Sequence, residues 1–153
     1  MTAEPTYVTE GPPRLVGQVF TEIIIRNSHD AALSRAGRLP PGAVREIVLD
    51  EVLVDTGATH LALPAQLTER LGLEPIRDVV LSTANGVVTT RLLEGAQLEV
   101  AGRRMTTDVL ELPEGGRPLL GVVPMQSLGI EPDIQNHRLR LLSESDAETH
   151  LYA

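Results

Sequence analysis

The sequence predicts a mainly β fold, a barrel or sandwich with one or two short helices, and three observations carry that prediction. Short runs rich in Val, Ile, Leu and Thr recur along the chain. Turn residues separate them, and Asn85-Gly86 is the strongest hairpin signal among these. Helical signals are confined to two short stretches, each with a Pro near its start and a Gly at its end.

The elements follow in chain order. Residues 1–14 are polar and proline-containing, and are expected to be a flexible N-terminal tail. Leu15 to Arg26 alternates β-branched residues and reads as a strand. Asn27 to Gly42 is dominated by turn residues and is expected to be a long exposed connection, with one helical turn at Ala31 to Arg35. Ala43 to Val54 reads as a second strand, whose apolar end runs directly into Asp55-Thr56-Gly57. Pro64 can open a helix in which Leu67 and Leu71 share a face and which Gly72 ends. Val79 to Thr90 reads as a hairpin turning at Asn85-Gly86. Leu92 to Val100 and Met105 to Leu112 are two further strands around a tight turn at Ala101-Gly102-Arg103. Leu119-Leu120-Gly121 leads into a second short helix, marked by Pro124 and Gly129. Arg138 to Leu142 is the last strand, and 144–153 is an acidic C-terminal tail. The organisation expected is therefore a single domain over 15–143 between two tails.

Composition narrows the function. The chain is 42% hydrophobic but has one Phe, two Tyr and no Trp, so its core must be aliphatic. Scarce aromatics argue against a base-stacking surface, and a net charge of −8 argues against nucleic acid or an anionic membrane as partner. With no Cys there is no thiolate nucleophile or disulfide. His29, His60, His137 and His150 are scattered without ligand spacing, so neither a metal nor a cofactor is expected. No apolar run approaches a membrane span and the start does not resemble a secretory signal, so a soluble, cytoplasmic protein is expected.

The chemistry centres on Val54-Asp55-Thr56-Gly57-Ala58-Thr59. An acid at the end of an apolar strand needs a reason to be there. Gly57 allows a tight turn, and the Thr56 hydroxyl can tie that turn in place. Alone the tripeptide is weak evidence, since Asp, Thr and Gly are ordinary turn residues. Its setting strengthens it. VLVDTGATHLALP resembles the active-site loop of the retropepsin-like aspartic proteases. STANGVVTT (Ser82 to Thr90) is similar to that family's flap hairpin, Leu119-Leu120-Gly121 with VVPMQSLGI to the apolar pair, Gly and helix that follow, and HRLRLL to its closing strand. The likeness runs in order from about Val16 to Leu142. The 27–42 connection is longer than in viral enzymes, the flap has a single Gly86, and the N-terminal tail has no counterpart.

The resemblance implies a retropepsin-like acid-protease barrel with one lobe per chain. It implies Asp55, Thr56 and Gly57 as the catalytic loop, and Ala58, Ala84, Asn85, Gly86, Val87 and Leu120 against substrate. Hydrolysis of an amide by this chemistry needs two carboxylates sharing one proton around a water. The chain has a single Asp-Thr-Gly, and Asp50, Asp78, Asp108, Asp133 and Asp146 lack the small-Gly turn. The second acid must then be Asp55 of another copy, and the protein's partners are itself, as a homodimer, and a peptide substrate. Relatives with a hydroxyl after the Gly stabilise the ionised acid there; Ala58 cannot, which places expected activity in the weakly acidic to neutral range. Apolar substrate side chains flanking the cut bond, and chain ends paired near Val16 and Arg138 to Leu142 across the dimer, complete what is implied. Two other readings compete. One keeps the fold as a catalytically silent dimerisation or peptide-binding module. The other, a fragment of a sugar-kinase or actin-like ATPase, needs two lobes and a phosphate loop that 153 residues without such a glycine pattern do not supply.

Overall fold

The computed structural model describes residues 6–9 and 17–143. Ten strands and three short α-helices follow one another: β1 (Thr6–Thr9), β2 (Val19–Asn27), α1 (Ser28–Arg35), β3 (Glu46–Val54), β4 (Leu61–Pro64), α2 (Ala65–Leu71), β5 (Glu74–Thr83), β6 (Gly86–Val100), β7 (Arg103–Leu112), β8 (Leu119–Leu120), α3 (Val122–Leu128), β9 (Ile130–Asp133) and β10 (Arg138–Leu141). A 3₁₀ turn, Pro41–Ala43, precedes β3. The fold is mainly β, as the turn-and-strand pattern predicts.

Seven strands form one sheet in the order β2-β3-β8-β4-β7-β6-β5, and a further β2–β6 pairing closes six of them into a barrel. Closure removes the open edges that would otherwise invite aggregation. Inside stand Ile23, Ile25, Leu61, Leu63, Leu98 and Leu120, all fully buried, with Leu71 and Met125 from the helices. Each such side chain is worth about 1.5–3 kcal/mol on burial. The core is aliphatic, as a chain with one Phe and no Trp requires.

β5 and β6 extend beyond the barrel as a two-stranded ribbon. The ribbon turns at Ala84-Asn85, with Thr83 paired to Gly86, and not at Asn85-Gly86 as the sequence suggests. The Thr83 hydroxyl decides this. It accepts from the Asn85 N–H at 3.3 Å and donates to the Gly86 carbonyl at 2.8 Å. Gly86, at φ 115, then opens β6 in a conformation that a side chain would oppose. β6 is also one continuous strand where two were expected, and a bulge between Leu93 and Ala96, with Gly95 at φ 97, bends it from ribbon into barrel.

At the ribbon's base Glu111 of β7 is nearly buried and accepts from Arg91 at 2.9 and 3.1 Å and from the Thr68 hydroxyl at 2.6 Å. The hydrogen bonds from Arg91 first, then that from Thr68, hold its carboxyl below the ordinary value, against the opposing effect of burial. A lowered folded value means that this stabilisation is full above the ordinary carboxylate range and is lost as pH falls through the folded value. Glu111→Gln should therefore melt lower than wild type at neutral pH, and lose less stability than wild type on acidification below about pH 4, measured by calorimetry.

Two expectations are corrected here. The stretch read as a loose tail contains β1, which pairs antiparallel with β10; β10 in turn pairs with β9, giving a separate three-stranded sheet. The closing strand thus has a neighbour on each side within its own chain, Thr6–Thr9 and Ile130–Asp133. The remaining residues of both expected tails, 10–14 and 144–153 included, lie outside the described residues. The connection after Asn27 holds a two-turn helix, α1, in place of one turn.

Asn27 explains α1. Its side-chain oxygen caps the helix by accepting from the Asp30 N–H at 2.9 Å, while its amide donates to the Leu71 and Gly72 carbonyls at 2.8 and 3.3 Å. Asp30 accepts three hydrogen bonds from Arg45, which hold its carboxyl below the ordinary value against burial. Asn27→Ala removes the cap and strands the buried Leu71 carbonyl, so urea unfolding should show a loss of about 2 kcal/mol. α2 and α3 both end on glycines in the left-handed conformation, Gly72 at φ 65 and Gly129 at φ 67. Pro64 stands just outside α2 as its cap, whereas Pro124 is the third residue of α3.

Candidate active site

The site is built where β3 ends. β8, only two residues long, runs parallel to β3 with Leu53 opposite Leu119 and Val54 opposite Leu120, and it pairs antiparallel with β4 through Ala62. It is therefore wedged between the two strands that flank the Asp55 loop. The Asp55 N–H donates to the Leu120 carbonyl at 2.9 Å, continuing the ladder by one residue. The chain then turns, with the Ala58 N–H donating to the Asp55 carbonyl at 3.2 Å. α3 begins directly after β8, and two of its first N–H groups point at the same loop. Val122 donates to the Ala58 carbonyl at 2.8 Å and Val123 to the Thr59 carbonyl at 3.0 Å. The free donors of a helix start thus satisfy the free acceptors of the loop.

Gly121, between β8 and α3, makes this docking possible. A Cβ there would stand 2.4 Å from the His60 carbonyl oxygen and 2.7 Å from the His60 nitrogen. Gly57 has a related role, since a Cβ on it would lie 3.2 Å from an Asp55 carboxylate oxygen. That oxygen, Oδ1, accepts from the Gly57 N–H at 2.8 Å, which fixes the carboxylate in the turn. Among the described residues the second oxygen has no partner. The carboxylate is half-buried, oriented on one side and open on the other.

Strand alternation says which side is open. Leu53 and Leu119 are half-exposed, while Val52, Val54 and Leu120 are buried. Asp55 follows Leu53 by two residues and so continues the half-exposed row. The arrangement presents a positioned carboxylate at the end of a short apolar row, on the surface of a single chain.

The residues singled out from the sequence fall into three groups. Asp55, Thr56, Gly57 and Ala58 form the loop itself; Thr56 and Gly57 are exposed and Ala58 is half-buried. Ala84, Asn85, Gly86 and Val87 form the ribbon tip, all exposed, and among the described residues no hydrogen bond joins them to the loop. Leu120 is the correction. Expected against substrate, it is fully buried in the core and serves the site through its backbone carbonyl. Leu119 and Leu53, by contrast, are half-exposed beside the loop. Parity within Leu119-Leu120 is the signal that could have found them, but a two-residue strand does not reveal its own register. A groove of about 780 Å³ elsewhere on the surface, lined by His29, Arg45, Glu74, Glu94 and Asp108 among others, does not include the Asp55 loop.

Comparison with known proteins bears on this geometry. Residues 43–131 match the model of a family described as aspartyl protease, a span that runs from the residue before β3's approach through the loop, the ribbon and β8 to α3 and the start of β9. Among solved structures, EIAV protease complexed with the inhibitor HBY-793 is similar in fold, with a TM-score of 0.51 and 22% identity, covering 77% of this chain and 94% of that one. Comparison with curated proteins finds no match.

Proposed function

The chain belongs to the aspartyl protease family and has a retropepsin-like fold, and from that premise we propose that it is an aspartic endopeptidase working as a homodimer. The observation that carries this reading is the half-complete site. One chain supplies one oriented carboxylate, with a free oxygen and an exposed Thr56 beside it. A two-fold axis past the loop would bring a second Asp55 to face the first, and an isologous pair is the commonest oligomer.

Two carboxylates at such close range share one proton, because both cannot be charged cheaply. The ionised one takes a proton from a water held between them as that water attacks the peptide carbonyl. The protonated one donates to the carbonyl oxygen. Collapse of the tetrahedral intermediate then returns a proton to the leaving amine. The Gly57 N–H holds each carboxylate still, so little reorganisation is needed during the reaction. The ribbon of β5 and β6 closes over an extended peptide and excludes water. Leu53 and Leu119 flank the reacting bond and favour apolar side chains there.

A dilution series tests the pairing. Cleavage of a mixed peptide library per subunit should fall on dilution, with the same midpoint as dimer dissociation measured by sedimentation. Activity that stays constant per subunit in a protein that sediments as a monomer would refute the shared site.

A further inference from the structure

We infer that Arg117 makes the site selective for substrates carrying a carboxylate side chain beside the cleaved bond, an inference that rests on the endopeptidase reading and specifies its substrate. Pairing across β2, β3 and β8 sets Phe20, Leu53 and Leu119 side by side. Asp55 continues this row along β3, and Arg117 lies two residues before Leu119 along the approach to β8. The Arg117 guanidinium carbon stands 5.1 Å from the centroid of the Phe20 ring. It thus closes the far end of the apolar row that begins at the carboxylate.

Among the described residues no carboxylate engages the charge on this side chain. The chain has no Lys, and its thirteen cationic side chains are all Arg. Arg26, Arg45, Arg91, Arg104, Arg138 and Arg140 each have a carboxylate within 4.0 Å. Arg103 spends its donors on the carbonyls of Leu128, Gly129 and Leu142. Arg117 is exposed, has no carboxylate partner among the described residues, and is held by a ring face instead. Stacking positions a guanidinium without using its in-plane N–H donors, which remain free for a planar anion such as a carboxylate. The net charge of −8 repels acidic peptides at long range, so a preference for an acid at this one position needs a local cation to produce it. Leu53 and Leu119 without Arg117 would select apolar residues only.

The test uses peptides with a reduced, uncleavable central bond and Glu or its isostere Gln placed on either side in turn, with matched cleavable versions. Wild type should bind the better-placed Glu peptide about tenfold more tightly than its Gln twin, a preference abolished by Arg117→Leu and turned towards Lys by Arg117→Glu. Equal affinity for both peptides in wild type, a preference that survives Arg117→Leu, or no binding of either peptide would overturn the assignment. The cleavable peptides read the other question separately. Arg117-dependent binding without cleavage supports the assignment and refutes the endopeptidase, whereas cleavage blind to Glu and Gln supports the endopeptidase and refutes the assignment.

Discussion

Asp55→Asn should abolish peptide cleavage, lowering kcat/KM by about 10³-fold or more, while the fold stays intact. Asn retains an oxygen at the Oδ1 position, so the 2.8 Å hydrogen bond from the Gly57 N–H survives, and the half-buried site loses no volume. What disappears is the ability to take up and give back a proton. Thermal unfolding should therefore move little, and dimerisation should persist. A second result follows from the shared site. Excess Asp55→Asn subunits mixed with wild type should suppress wild-type activity, because in the proposed dimer each mixed pair would have one working carboxylate where the mechanism needs two. Retention of cleavage by the variant would remove Asp55 from the chemistry.

Among the glycines of the described residues, Gly121→Ala should be the most damaging, costing about 3 kcal/mol or more in urea unfolding. The cause is contact alone. Gly121 has φ −90 and ψ −177, a conformation that Ala adopts freely, so no left-handed strain is involved. The added Cβ would meet the His60 oxygen at 2.4 Å, the His60 nitrogen at 2.7 Å and the Thr59 carbonyl carbon at 2.7 Å, all backbone atoms that cannot rotate away. Relief requires β8 and α3 to move off the loop, which breaks the bonds from Val122 and Val123 that hold it. Activity should fall with stability. Gly42→Ala is the control, since a Cβ there meets nothing within 4 Å; it should unfold within about 0.5 kcal/mol of wild type. A Gly121→Ala protein as stable as that control would show that the loop is not clamped in this way.

These two residues also mark what could be read from the sequence. Asp55 was legible because strand, acid and small-Gly turn are contiguous, and local order carries their meaning. The two Pro-to-Gly helices and the aliphatic core were legible for the same reason. Gly121 stood out only as the end of an apolar pair, since the backbone it approaches belongs to His60, far away in the chain. The turn of the ribbon was misplaced by one residue because the Thr83 hydroxyl, and not the Asn-Gly pair, sets the bonding of the tip. β1 was hidden because a strand of four residues without apolar periodicity declares itself only through its partner, here β10. Leu119 and Leu120 were exchanged because their facing depends on a parallel neighbour that the local sequence cannot name. Arg117 carried no signal at all until the ring of Phe20 was found beneath it.

The wedge of β8 between β3 and β4 has a consequence for how the protein comes into being. Leu53 and Leu119 are neighbours in space but are separated by most of the barrel in sequence. Their contact closes a large loop, an entropic cost met only after the intervening strands have ordered, which makes it a late event in folding. Before then the Asp55 loop has only its own local hydrogen bonds and lacks the Leu120 carbonyl and the first turn of α3 that dock it to the barrel. On the ribosome, where the N-terminal half emerges first, the carboxylate is exposed well before its clamp exists. A chain interrupted before β8 thus carries the complete Asp-Thr-Gly motif without the clamp that docks it to the barrel.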